Sequence, residues 1–206
     1  MRRWIECGLG LVVAFLSAQA SAADPGPLND AQLKAFVRTQ AISTRCQKAL
    51  PGLKPQLLDA HANWVSMLDA SQRQAAEAYA GSKDGKKLAK SADAEASSAF
   101  GRNVISAAEN CIGLLKKFNV VYPAPPDTAM PADSVKWHQA NFAPMVLAAL
   151  KCARLDGVDA APAPDGAETW SYRGCGRVET MRVAPDGRLW SMDPASANRL
   201  FAAMVD

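Results

Sequence analysis

The sequence predicts an α+β protein: an N-terminal three-helix bundle tied by a disulfide, then a small module in which a helix meets a three-stranded antiparallel sheet and a C-terminal helix. Three observations predict it. Apolar residues recur at helical spacing as far as Phe118, residues 122–133 are rich in proline, and strand-like alternation appears only from Trp170 onward. Composition agrees, since 40 of the 206 residues are alanine, 49% are apolar and only 7% are aromatic, a mixture that suits a helical globular protein and not a disordered one. The expected divisions are an export signal at 1–22, the bundle at 23–121, a linker at 122–133 and the α+β module at 134–206.

The N-terminal stretch opens with Arg2 and Arg3, continues through an apolar run at 8–16 and closes on Ala20-Ser21-Ala22, the small-x-small pattern of a cleaved secretory signal. The run is about half the roughly twenty residues a membrane-spanning helix needs. No later segment is long and apolar enough to replace it, so the mature chain is expected to lack a transmembrane segment. Cys7 stands at the front of the run, where lipid modification does not occur. Cleavage near Ala22 makes the protein periplasmic or secreted.

Asn29 followed by Gln32 forms a capping box for the first helix. Leu33, Phe36 and Val37 lie on one side of that helix and Ile42, Cys46, Ala49 and Leu50 on the other, so it is either buried on two sides or bent near Thr39. Pro51-Gly52 ends it. The second helix carries Leu57, His61, Trp64, Leu68, Ala75 and Tyr79 on one continuous face, and a lysine-rich break at 81–90 follows. The third carries Phe100, Val104, Ala107, Cys111, Leu115 and Phe118. Prolines 123, 125, 126 and 131 then exclude helix and favour extended chain. A short helix at 134–141, a second one opened by Pro144, and a loop at 160–164 lead to the sheet.

Export gives Cys46, Cys111, Cys152 and Cys175 an oxidising compartment, and none stands in a C-x-x-C motif. Cys46 and Cys111 both face inward near the ends of helices that run parallel in an up-down-up bundle, so they are expected to pair. Cys152 and Cys175 then join helix to sheet.

Trp170 and Tyr172 alternate with polar neighbours, Gly174-Cys175-Gly176 makes a turn, and Val178 opens a second strand. Ala184-Pro185-Asp186-Gly187 suits a three-residue hairpin loop, with proline and glycine at the positions a type I turn with a glycine bulge requires. That register sets Val183 against Leu189 and Arg182 against Trp190; a two-residue Asp-Gly loop would shift each partner by one. Asp193-Pro194 caps a final helix whose Leu200, Phe201, Met204 and Val205 cover the Val183 and Leu189 face.

The balance of 23 Lys and Arg against 20 Asp and Glu gives a net charge of +3, too dispersed to gather polyanions, so nucleic acid is not an expected partner. There is no G-x-S-x-G elbow, H-E-x-x-H helix, phosphate-cradling loop or dinucleotide fingerprint. With the cysteines oxidised, two histidines do not make a metal site, and no metal or cofactor is expected. His61 lies beside Trp64 on an inward face, either as a core histidine or as a buried acid, base or ligand. His138 reads as a surface or helix-end residue. The sheet face turned from the final helix would show Trp190 beside Arg182, with Arg173, Arg177 and Arg188 at its edges, a tryptophan and arginine set of the kind that anchors interfaces. Alternatively the preceding helix covers it. The sequence thus reads as an exported, non-catalytic binding or accessory protein of a bacterial-type envelope: an inhibitor, adaptor or assembly factor with a protein partner. The alternatives are a hydrolase of envelope polymers, which leaves the question of enzymatic activity open, and a small-molecule or cofactor carrier with its cavity near His61 and Trp64.

Overall fold

Helix-capping residues set the element boundaries. A computed structural model describes residues 26–101, 103–187 and 189–206; the stretch 1–22 expected to be an export signal and Arg188 lie outside the described residues. Asn29 and Gln32 exchange side-chain and backbone hydrogen bonds of 2.9 and 3.0 Å and open α1 (Asp30–Ala49) as expected. This helix is uninterrupted: Phe36 and Val37 enter one apolar cluster and Cys46 another. A 3-10 turn at Pro51–Leu53 follows.

The bundle has more and shorter helices than the sequence predicts. The second expected helix is divided into α2 (Lys54–Ser66) and α3 (Ala70–Gly81). Asp69 and Gln72 form another reciprocal capping box, and its reward at a new N-terminus outweighs one more turn of uninterrupted helix. The lysine-rich break is instead the start of α4 (Lys83–Phe100), because the Ser82 hydroxyl accepts the Gly85 amide at 3.0 Å. Gly101, at φ +58°, ends α4, and Asn103 caps α5 (Val104–Lys117), so the third expected helix is also two.

After the proline-rich strap, α6 (Ala132–Leu150) runs through Pro144 without a break where two helices were expected. Burial on both sides holds it together, and the Pro144 carbonyl accepts Gln56 Nε2 at 2.7 Å. The sheet has four antiparallel strands in sequential order, not three: β1 (Gly157–Pro162), β2 (Glu168–Gly174), β3 (Arg177–Asp186) and β4 (Leu189–Met192). The strand missed in the sequence, β1, is short, lies at an edge and contains Pro162, which an edge strand tolerates. Asp193 then accepts the Ala195 and Ser196 amides and opens α7 (Pro194–Val205).

Both disulfides pair as the sequence predicts, Cys46 with Cys111 and Cys152 with Cys175, at Cα separations of 5.5 and 5.9 Å. The first joins α1 to α5. The second joins the end of α6 to the β2–β3 turn, where Cys175 and Gly176 hold φ of +52° and +71°, the pair of positive angles a two-residue hairpin loop needs.

The tetrapeptide Ala-Pro-Asp-Gly occurs twice and folds in two ways. At 163–166 the Gly166 amide donates to the Ala163 carbonyl at 3.1 Å and the Ala163 amide to Ala167 at 2.7 Å, the three-residue loop with a glycine bulge. At 184–187 that geometry was expected, yet the pairing runs Val183↔Met192, Pro185↔Trp190 and Asp186↔Leu189, leaving two residues to connect the strands. Both registers weighed from the sequence are therefore wrong. Pro185 survives within β3 because alternation from the closing pair places it at a non-hydrogen-bonded position, where its missing amide costs nothing.

The larger buried cluster spans the proline-rich segment, with Leu50, Leu57 and Leu115 before it and Leu147, Trp170 and Met181 after it. Gly52 lies so close to α7 that a Cβ there would stand 2.0 Å from the Ala203 carbonyl oxygen. The C-terminal helix thus packs on the first loop of the bundle as well as on the sheet.

Candidate functional site

The expected patch of Trp190 and Arg182 does not form, because the observed register puts them on opposite faces. Trp190 shares the inner face with Val183 and Met192, half-buried against the core. This is the covered arrangement: the Trp190 carbonyl at the sheet edge accepts His138 Nε2 from α6 at 2.7 Å. Arg182 lies on the outer face in an ion pair with Asp165, and Arg173 lies on that face paired with Asp159. Arg177 reaches the C-terminal carbonyl of Leu150, and Arg188 lies outside the described residues. Leu189 is 73% exposed, not covered by α7.

His138, expected at the surface, is buried, whereas its neighbour Trp137 is 57% exposed. Since the Trp190 carbonyl can only accept, Nε2 carries the proton, and Nδ1 is buried without a partner among the described residues. Burial lowers the pKa of His138, outweighing the Trp190 bond that raises it. His61 sits among rings: its centroid is 5.7 Å from Trp64 and 6.1 Å from Phe118, and Trp64 stacks on Phe36 at 5.3 Å. Its Nε2 is also buried without a partner among the described residues, and burial lowers its pKa. Neither His61 nor Trp64 lines the cavities of about 450 and 360 Å³. Among the described residues no three His, Cys, Asp or Glu side chains cluster as metal ligands.

Glu168 is a buried carboxylate that the sequence reading did not single out. It accepts Thr128 Oγ1 at 2.6 Å, the Ala129 amide at 2.6 Å and Trp170 Nε1 at 2.7 Å, tying the strap to the sheet. Burial pushes its pKa up, but these three donors together hold it below the usual carboxylate range.

An apolar groove of about 450 Å³ lies between α5, α6 and α7. Ile105, Ala108 and Ile112 form its α5 wall, spaced three and four residues apart. Trp137, Phe142 and Met145 form the α6 wall, with the Trp137 and Phe142 rings edge to face at 5.7 Å. Phe201 and Met204 of α7 close the floor. Lys116 Nζ bonds Asn141 Oδ1 at 2.8 Å across the groove, and Glu109 adds an acidic rim. Ile105 is 53% exposed. The sequence did carry a signal for this wall: Ile105, Ala108 and Ile112 stand one position beyond the core stripe of Val104, Ala107 and Cys111, which makes α5 apolar on two adjacent faces.

Compared with known proteins, the chain matches no family model, no curated protein and no solved structure. Two disulfides accord with folding outside the reducing cytosol, and among the described residues no helix is long and apolar enough to cross a membrane.

Proposed function

We propose that this protein is an exported, non-catalytic binding or accessory factor of a bacterial-type cell envelope, delivered by cleavage of the signal at 1–22 to the periplasm or the medium. Its contact face is the α5–α6–α7 groove, and its partner is a protein that lays the apolar ridge of a helix into it. The observation that carries this reading is Trp137, a large aromatic left 57% exposed at the rim of an apolar groove. Exposed tryptophans beside apolar pockets are the residues on which interface energy concentrates. The groove floor is apolar, and the groups at its rim, Lys116, Asn141 and Glu109, suit orientation more than chemistry.

A photo-crosslinking residue at position 137, introduced in cells that make the oxidised protein, should give one discrete protein adduct. The same residue at Thr180, on the outer sheet face, should give none. Trp137→Ala should weaken recovery of that partner by about tenfold or more, while changing the unfolding free energy by about 1 kcal/mol or less, because more than half of the side chain is already in water. Absence of an adduct at 137, or equal adducts at 137 and 180, would remove the groove from consideration.

A further inference from the structure

The net charge of +3 conceals a local concentration of positive charge. Lys83, Lys86, Lys87 and Lys90 all stand exposed in the first two turns of α4. At the helical spacing they fall within an arc of about 100° and a length of about 10 Å. Gly85, Ala92 and Ala96, which are buried, lie on the opposite side of the helix. The outward face of this half of α4 is therefore a stripe of lysine.

The stripe has no counter-charge of its own. None of the four lysines makes an ion pair among the described residues. Two carboxylates flank the arc, Asp84 on one side and Asp93 on the other. Asp93 is held by Arg45 of α1 at 3.2 Å, and Asp84 stands about 100° round the helix from Lys83.

This arrangement works against the helix that carries it. The pairs 83–86, 83–87, 86–90 and 87–90 are three or four residues apart, so four like-charge contacts close into a ring, each of them destabilising. Lys83 directly follows the Ser82 cap, where the helix dipole also disfavours a cation. A face that repels itself gains doubly from an anionic partner, which relieves the repulsion as well as attracting each charge.

What the stripe lacks selects that partner. It has no aromatic ring on which bases could stack and no arginine to clamp a single phosphate with two parallel hydrogen bonds. It has no large apolar side chain to anchor a protein interface, since the outward face continues past Lys90 with Ala94 and Ser98. Compact charges on flexible stems along a straight ridge suit a plane of diffuse negative charge. We infer that α4 lays this stripe on a membrane surface of anionic phospholipid headgroups, where it holds the protein by charge without inserting into the bilayer. Only the access to such a membrane rests on the export proposed above. The stripe shares no residue with the α5–α6–α7 groove, so the two contacts are separable.

Co-sedimentation of the oxidised mature protein with vesicles tests the assignment. Vesicles of phosphatidylglycerol and phosphatidylcholine in equal parts should bind it, and vesicles of phosphatidylcholine alone should not. Raising the salt from about 50 to about 500 mM shortens the screening length from about 14 to about 4 Å and should release the protein. One lysine near an anionic bilayer is worth about fivefold in partitioning, so Lys83→Gln together with Lys87→Gln should weaken binding by about 25-fold. Lys86→Gln together with Lys90→Gln should do the same. Lys48→Gln with Lys54→Gln removes equal charge from exposed positions elsewhere and should weaken binding by less than about twofold. Without vesicles the stripe variants should melt at the same temperature or higher, because like charges are removed from an exposed helix face. Trp137→Ala should leave vesicle binding unchanged, so failure here and failure of the groove are separately visible. No binding to the anionic vesicles at low salt, equal binding to both vesicles, or equal losses from the stripe and control pairs would overturn the inference. So would tighter binding to duplex DNA or polyglutamate than to the anionic vesicles at matched charge.

Discussion

Glu168 shows how much one side chain can hold. Its carboxylate takes three donors from the strap and from the sheet, so Glu168→Gln replaces an acceptor by a donor at a buried site and should cost about 1–3 kcal/mol, measured by urea unfolding at pH 7. Its folded pKa lies below the unfolded one, so its contribution is present above about pH 4.5 and is lost as pH falls through the folded value. Histidine gives the second residue-scale test. Burial lowers the pKa of both His138 and His61, so the unfolded chain takes up protons more readily than the folded one. Stability should therefore fall as pH drops below about 6.5 toward the folded values. His138→Gln keeps a donor for the Trp190 carbonyl and should flatten part of that fall between pH 7 and 5; an unchanged profile would refute the role of His138. Position 138 also marks a limit of the sequence. Adjacent residues on a helix point about 100° apart, so Trp137 and His138 meet different surroundings. The inward place of His138 depends on a carbonyl at the edge of β4, fifty-two residues away.

Among the elements, those governed by neighbours in sequence were the legible ones. The Asn29–Gln32 box, the Asp193-Pro194 start of α7 and the Cys175-Gly176 turn all form where the residues indicate. The Asp69–Gln72 box has the same chemistry, but lies inside an apolar repeat that read as one helix. The Ala-Pro-Asp-Gly repeats separate local from distant control more sharply. At 163–166 the tetrapeptide follows its own preference. At 184–187 the first three of the same residues stay in β3, because its pairing with β4 places Trp190 and Met192 on the inner face beside Val183. Packing between elements also fixes Gly52. Gly52→Ala would drive a methyl group into the Ala203 carbonyl, displacing α7 from the bundle, and should cost about 2–3 kcal/mol in chemical denaturation. A cost below about 0.5 kcal/mol would mean that α7 is not held there.

For the whole molecule, the two disulfides close 65 and 23 residues, worth about 4 and 3 kcal/mol in the chain-entropy account. Replacing Cys46 and Cys111 together by serine should lower the unfolding free energy by about 4 kcal/mol, and replacing Cys152 and Cys175 by about 3; equal stability of oxidised and reduced protein would contradict both. Because the larger core runs across the proline-rich strap, reduction of either bond should loosen residues on both sides of it, which hydrogen exchange can follow. The two cavities belong to this scale as well. The groove is lined by α5, α6 and α7 together, and the cavity of about 360 Å³ by α2, the strap and the loop after α6, so neither is written in one stretch of chain. Spacing, caps and cysteine positions, acting through local backbone geometry and inward-facing stripes, determined the α+β class and both disulfide pairings. Strand register, the burial of His138, the exposure of Trp137 and the two cavities were decided only by tertiary packing, because each depends on which face of an element meets a partner far away in sequence.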